Sequence, residues 1–110
     1  MDSLSALQSE VAAWVHRNFG DAPLLDQAAV VCEEAGELIH HVLKAKQGIR
    51  LEENHSDGMR DALADTVIAC LAFASIAGID LEQALADTWF LVSQRNWKPQ
   101  ETNSCTAPPQ

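Results

Sequence analysis

Carboxylate side chains occur in two groups whose spacing could hold a metal ion. The first group is Glu33-Glu34-Ala35-Gly36-Glu37, and the second contains Asp61 and Asp65. Residues three or four apart share a face of a helix, so Glu34 points the same way as Glu37. By the same spacing, Asp61 points the same way as Asp65. Carboxylates gathered on apolar helices repel one another unless a cation neutralises them. Oxygen ligands of this kind suit Mg²⁺ or Mn²⁺, and such an ion usually serves phosphate chemistry.

The composition limits the classes of partner. The chain has 110 residues, 47% of them hydrophobic, which predicts one domain with a single core. The formal charge is −9, with 16 acidic and 7 basic residues. This balance argues against nucleic acid and against an anionic membrane surface as partners, because both require a basic face. It leaves room for a phosphorylated small molecule whose charge a bound cation would offset.

The cysteines and the apolar runs point to a reducing compartment. The three cysteines, Cys32, Cys70 and Cys105, are odd in number and lack metal-site spacing. Cys32 and Cys70 lie in apolar helical stretches and are interpreted as small buried side chains. No secretory signal is recognisable, and the longest apolar run, from Val67 to Ala74, is too short to span a bilayer. We therefore expect a cytoplasmic protein without a membrane segment.

The periodicity predicts four helices and no strand. The first covers residues 4–17, with Ser3 as its cap and Gly20 as its stop. The second covers residues 23–46, and a polar loop over residues 47–56 follows it. The third begins near Asp57 and ends at Gly78. A capping box of Asp80 and Gln83 starts the fourth helix, which is expected to reach residue 96.

The third helix is apolar on nearly all sides from Thr66 onward, so it should be central and most buried. A chain this small offers such a helix little cover, which predicts an all-α four-helix bundle completed by homo-oligomerisation, as a homodimer or homotetramer. The helical domain should span residues 1–98, and residues 99–110 read as a disordered tail. Further core candidates lie on the second and fourth helices: Ala29, Val30, Leu38, Val42, Leu43 and Trp89.

Two explanations of the carboxylates need no phosphate chemistry. They could be solvated faces of ordinary helices, although Asp65 runs directly into an apolar stretch. They could also belong to a di-iron site, because Glu37-Leu38-Ile39-His40 has the Glu-x-x-His spacing of such bundles. Those sites need the motif on two helices, and the third helix has no His after Asp65, with His55 placed in the loop. His40 and His41 are then a partly exposed pair beside the site.

The two groups also resemble the motifs of a known family. Glu33-Glu34-Ala35-Gly36-Glu37 is similar to the Glu-Glu-x-x-Glu motif of MazG-type all-α nucleoside triphosphate pyrophosphatases. In that family a Glu-x-x-Asp motif follows at the start of a buried helix, and Asp65 matches its Asp. The resemblance covers roughly residues 7–98. It implies a MazG-like helical domain that hydrolyses a (deoxy)nucleoside triphosphate to a monophosphate and pyrophosphate, with Mg²⁺ as cofactor and Mn²⁺ as a substitute.

The resemblance also implies roles for the carboxylates. Glu34, Glu37 and Asp65 would hold the metal, and the catalytic pair would be Glu33 and Glu34, with Glu33 orienting or deprotonating a water or binding a second ion. The family's Glu in the second motif falls on Ala62, which cannot bind metal. Asp61, four residues before Asp65, is the candidate substitute.

Other polar and aromatic residues are candidates for binding the substrate. Stacking and amide hydrogen bonds could form a base pocket, and cationic side chains could contact phosphate oxygens. An exposed helix-end charge is the alternative for each cation, and a place in the core is the alternative for Trp14. If the departure at Ala62 removes activity, the runner-up is a weakly active or non-catalytic acidic protein that binds a nucleotide or a protein partner. The substrate-binding candidates are Trp14, Asn18, Lys44, Arg95, Trp97 and Lys98.

Overall fold

A computed structural model describes residues 3–98, and this part of the chain contains helices and no strand. The helices are α1 (Leu4–Phe19), α2 (Leu24–Gln47), α3 (His55–Ala77) and α4 (Leu81–Val92). The predicted all-α fold is therefore confirmed. The predicted tail at residues 99–110, with Cys105, lies outside the described residues.

The helix ends follow the local chemistry of the sequence. The Ser3 hydroxyl accepts the backbone N–H of Ala6 at 3.0 Å, and the Asp80 carboxylate accepts that of Gln83 at 3.1 Å. The capping box is only half formed, because the Gln83 amide donates to Asp87 instead of turning back. Gly78 ends α3 with a φ of 71°, a left-handed conformation that glycine adopts without strain.

Three predicted boundaries move by two residues or more. α1 ends at Phe19 rather than at residue 17, and the other two shifts have identifiable reasons. α3 begins at His55 rather than near Asp57, because the Asn54 side chain accepts the N–H of Asp57 and caps the helix earlier. α4 ends at Val92, four residues before the predicted end. The side chains of Ser93 and Gln94 donate to the carbonyl of Phe90 at 3.2 and 2.6 Å, and such bonds compete with helical continuation.

α3 is the central helix, as predicted, and packs mainly against α2 and also against α1. α2 and α3 run antiparallel: Gln27 near the start of α2 donates to the carbonyl of Ala69, whereas His41 near its end faces Gly58 at the start of α3.

Leu71 is fully buried and forms the core with Ala72 of α3 and with Val11 and Val15 of α1.

Hydrogen bonds fasten α1 to the corner between α3 and α4. The Gln8 amide donates to the carbonyl of Ile79 and accepts the N–H of Leu81, and the Glu82 carboxylate accepts N–H groups at the start of α1. At that corner α3 and α4 are bent by 109°. No single helix among residues 3–98 is long and apolar enough to cross a membrane, and only the bent pair of α3 and α4 together passes that test.

Most of the further core candidates are not buried within one chain. Leu38 is half-buried, but the other four candidates on α2 are exposed, and so is Cys32. Trp89 is 66% exposed, and α4 buries no residue at all. The predictions fail because α2 packs mainly against α3 alone, while α4 makes few contacts with the other helices. Cys70 is half-buried.

We predict that Leu71→Ala lowers the free energy of unfolding by about 3 kcal/mol, because it leaves a cavity in the only fully enclosed part of the described core. Urea unfolding at one fixed protein concentration measures the loss. Leu25→Ala is the control: that side chain is 80% exposed, and its removal should change stability by less than about 0.5 kcal/mol. Equal effects of the two substitutions would contradict this description of the core.

Candidate active site

Glu34 and Asp65 line one cavity, which lies between α1, α2 and α3. Its volume is about 460 Å³. Glu34 comes from α2 and Asp65 from α3, and the antiparallel packing of these helices brings them together. The remainder of the wall is mostly apolar and includes two aromatic rings. The lining residues besides this pair are Trp14, Val15, Phe19, Ala22, Asp26, Gln27, Val30, Ile68, Ala69 and Ala72.

The carboxylates act on one another electrostatically. Partial burial raises the pKa of Glu34 above its ordinary value, and the negative charges of Asp65, Glu33 and Glu37 raise it further, in that order. Three of the other predicted carboxylates therefore lie near enough to Glu34 to affect its pKa, but only Asp65 lines the cavity with it. Glu34 is half-buried and the other three are exposed.

No protein cation neutralises this group among the described residues. Within residues 3–98, the ion pairs of Lys, Arg and His side chains involve only Asp21 and Glu53. A set of oxygen donors that repel one another and lack a basic partner is suited to a hard divalent cation. The donor chemistry of these residues thus suits the ion that the sequence predicts, and its binding stays a prediction.

Asp61 stands apart from the other carboxylates. It is exposed on α3, does not line the cavity, and is not among the residues that raise the pKa of Glu34. Ala62, which occupies the place of the resembled family's Glu, is 3% exposed. The role of Asp61 as a metal ligand stays a prediction.

The structure brings one of the six substrate-binding candidates to the cavity. Trp14 is 46% exposed, so it is not a core residue, and its ring meets that of Phe19 edge to face with centroids 5.6 Å apart. The Asn18 amide donates to the carbonyl of Trp14 at 2.8 Å, within its own helix. Lys44 donates to Gln47 at the far end of α2. The three candidates that follow α4 do not line the cavity in a single chain: Arg95, Trp97 and Lys98.

Two other cavity residues, Phe19 and Gln27, were not among the predicted site residues. Phe19 lies beyond the predicted end of the first helix at residue 17, and the structure places its ring edge to face with Trp14 in the cavity wall. Gln27 is buried and donates to the carbonyl of Ala69 at 3.2 Å. A polar residue on an otherwise apolar helical stripe was the available signal for Gln27.

A second polar cluster lies beyond the carboxylates along the same interface. His40 Nε2 lies 2.9 Å from Glu53 Oε1, and His41 Nδ1 lies 3.8 Å from the same oxygen. His55, which is the first residue of α3 and not part of the loop, approaches His41 with their Nδ1 atoms 3.0 Å apart. The hydrogen bond with His40 lowers the pKa of Glu53, and the electrostatic effects of His40, His55 and Arg50 act in the same direction.

This arrangement differs from the di-iron alternative. That alternative pairs His40 with Glu37, whereas the structure pairs His40 with Glu53 of the loop. His40 and His41 are half-buried, in agreement with the prediction of a partly exposed pair.

The chain is thus a small all-α protein with a mostly apolar cavity that Glu34 and Asp65 also line. The chain is 30% identical over 97 residues to a dATP/dGTP diphosphohydrolase of cyanophage S-2L, an alignment that covers 86% of this chain and 78% of that protein. No protein-family model matches the chain, and no solved structure matches it at a significant level. The chain belongs to the same family as this nucleotide diphosphohydrolase.

We predict that Glu34→Gln stabilises the metal-free protein at neutral pH. The pKa of Glu34 is higher in the folded than in the unfolded state. At pH values above the folded-state pKa, the ionised Glu34 therefore lowers the free energy of unfolding. At pH values below the unfolded-state pKa, Glu34 is protonated in both states and has no such effect. The gain in melting temperature should be at most about 4 °C, because solvent screens these charges. It should disappear as the pH falls below about 4.

Thermal unfolding in chelator-containing buffer across this pH range measures the effect. Glu10→Gln, which alters an exposed acidic residue of α1, is the matched control and should show no such pH-dependent gain. A lower melting temperature for Glu34→Gln at neutral pH would contradict the electrostatic account of the site.

Proposed function

We propose that this protein is a MazG-type, Mg²⁺-dependent nucleoside triphosphate pyrophosphohydrolase that converts a (d)NTP and water to a (d)NMP and pyrophosphate. The observation that carries the proposal is the meeting of Glu34 and Asp65 in one cavity with an aromatic wall. A carboxylate pair from two helices beside an apolar pocket offers both a metal site and a place for a base. The relationship to a nucleotide diphosphohydrolase supports the same conclusion.

Glu34, Glu37 and Asp65 would hold the ion, with Asp61 as a further candidate ligand and Mn²⁺ as a substitute for Mg²⁺. When bound, the ion would offset the negative charge of the carboxylates and of the triphosphate oxygens. Glu33 would orient the attacking water and accept its proton. The water oxygen would form a bond to the phosphorus next to the nucleoside, and the bond from that phosphorus to the bridging oxygen would break. Pyrophosphate then leaves with the electron pair.

The aromatic part of the cavity is the proposed base pocket. Trp14 and Phe19 offer ring surfaces for stacking, and the buried Gln27 amide lies in the same wall. The relative is named for dATP and dGTP, so we expect purine deoxynucleotides to be the best substrates. Because nucleoside triphosphates are used in the cytoplasm, the proposal places the protein there.

A homo-oligomer is part of the proposal, because the single chain leaves much apolar surface uncovered. Leu85 and Trp89, four residues apart, share a face of α4 and are 51% and 66% exposed, and the adjacent Phe90 and Leu91 are 67% and 62% exposed. Monomeric soluble proteins rarely expose a contiguous patch of this kind. A second copy of the chain is the proposed cover, in a homodimer or homotetramer.

We predict that the purified protein releases pyrophosphate from at least one of the eight common (d)NTPs with Mg²⁺ or Mn²⁺, and that a chelator abolishes the release. Glu37→Ala should lower the rate by about a hundredfold or more, since it removes a ligand of the charge-neutralising ion. Circular dichroism should show that the helices remain. Glu10→Ala is the control and should keep full activity.

In the same assay, Asp61→Asn tests whether Asp61 replaces the metal-binding Glu of the resembled family, whose place Ala62 occupies. A loss comparable to that of Glu37→Ala would support Asp61 as a ligand, whereas unchanged turnover would remove it from the site. If the wild type releases no pyrophosphate from any of the (d)NTPs with either metal, the alternative is favoured: a weakly active or non-catalytic protein that binds a nucleotide or a protein partner. The exposed position of Asp61 is the observation that favours this alternative.

The oligomer has its own test. Light scattering should give a mass of two or four times the chain mass of 12.0 kDa. Phe90→Asp should shift the protein toward the monomer, because it places a charge in the proposed interface. Leu25→Asp, at an exposed apolar position on α2, is the control and should leave the mass unchanged. A wild type that remains at the chain mass at high concentration would refute the oligomer.

A further inference from the structure

We propose a second, separate metal site for a transition ion such as Zn²⁺, formed by His40, His41 and Glu53 and completed by His55. The ligand atoms of the first three residues all lie within 4.8 Å of one another. Imidazole nitrogens and one carboxylate are the ligands that Zn²⁺ prefers, whereas Mg²⁺ prefers oxygen alone. The site therefore differs in kind from the all-carboxylate group beside the cavity.

Three distances between candidate ligand atoms are close to those of a tetrahedral site. Zinc bound at about 2.0 to 2.1 Å to nitrogen and oxygen holds its ligand atoms about 3.3 Å apart. His40 Nε2 and Glu53 Oε1 are 2.9 Å apart, and His41 Nδ1 lies 3.8 Å from the same oxygen. His41 Nδ1 and His55 Nδ1 are 3.0 Å apart. His40, His41 and Glu53 thus form the core of the proposed site, and a movement of the His55 ring toward them would supply the fourth ligand.

The orientation of His55 supports a ligand role. Its Nε2 lies 3.1 Å from the carbonyl oxygen of Ile49, and since a carbonyl only accepts, the proton of the neutral ring resides on Nε2. The lone pair of Nδ1 then faces His41. Metal-bound histidines commonly donate their other N–H to a backbone carbonyl in this way. His55 is also buried, so its position is well defined.

The surrounding backbone holds the other ligands in place. A Cβ on Gly58 would overlap the His41 ring, so the absent side chain at Gly58 makes room for the imidazole against α3. The loop turns at Arg50, which has a φ of 55°, and the N–H of Glu53 donates to the Arg50 carbonyl at 3.0 Å. Arg50 adopts the left-handed region that non-glycine residues seldom occupy. The turn presents Glu53 to the two histidines at the end of α2.

The consequence of metal binding would be structural. The four ligands come from the end of α2, the following loop and the first residue of α3, so one ion would tie the two long helices together at their connection. His41 follows Glu37 by four residues on α2. The ion would therefore fix the relative position of the helices that carry the carboxylates, without itself touching substrate.

Metal-free protein titrated with Co²⁺ or Zn²⁺, in excess Mg²⁺ to occupy oxygen-only sites, tests the proposal without any activity measurement. Co²⁺ in a four-coordinate site absorbs visible light strongly, whereas Co²⁺ held by oxygen ligands and water absorbs weakly. We expect one equivalent of Co²⁺ to produce the strong band, Zn²⁺ to displace it, and Zn²⁺ to raise the melting temperature.

Glu53→Gln and His40→Ala should each weaken Zn²⁺ binding by roughly tenfold to hundredfold or more and remove the band. Both side chains are partly exposed, so both variants should fold, which circular dichroism checks. His16→Ala, at an exposed histidine of α1, is the matched control. Absence of the band in the wild type, or an unchanged band in both variants, would overturn the proposal. So would loss of the band in Glu34→Gln, since the ion would then belong to the carboxylate group.

Discussion

The antiparallel contact between α2 and α3 is the interaction on which the rest of the structure depends. It buries small side chains of α3 such as Ala69, whose carbonyl accepts the Gln27 amide of α2, and so allows the two helices to approach closely. Because the two helices are antiparallel, the start of α2 packs against the later part of α3, and the end of α2 packs against the start of α3. Glu34 thereby meets the side of α3 that carries Asp65, and His41 meets Gly58.

This contact also gathers like charges. Folding places Glu33, Glu37 and Asp65 where their negative charges raise the pKa of Glu34, in a protein that already carries a formal charge of −9. Such an arrangement opposes folding unless something compensates for it. Hydrophobic packing around Leu71 supplies part of the compensation, and a bound cation is the proposed remainder. Sites of this kind commonly sacrifice stability for chemistry, which a purely structural interface has no reason to do.

The sequence predicted the features that depend on neighbours along the chain. The four helices, the Ser3 cap and the Gly78 stop follow from local spacing and from side-chain hydrogen bonds. The Glu34–Asp65 pair also followed, because each carboxylate lies on an apolar helix and a family motif joins them. Contacts between distant segments were harder to predict. From its local sequence, Glu53 is indistinguishable from any exposed acidic residue of a loop. The neighbouring residues do not indicate that the turn at Arg50 places Glu53 beside His40.

α4 differs from the other helices in drawing almost nothing from the core. It has 12 residues and buries none of them, and isolated helices of about that length are marginal in water. Its caps and the bonds of Glu82 to α1 are then its main internal supports. If other copies of the chain cover α4, helix formation in this segment is coupled to association. Dilution then favours the dissociated chain, in which α4 is less helical. The helical content of the protein is then a function of its concentration, while the α2–α3 hairpin that carries the carboxylates remains folded.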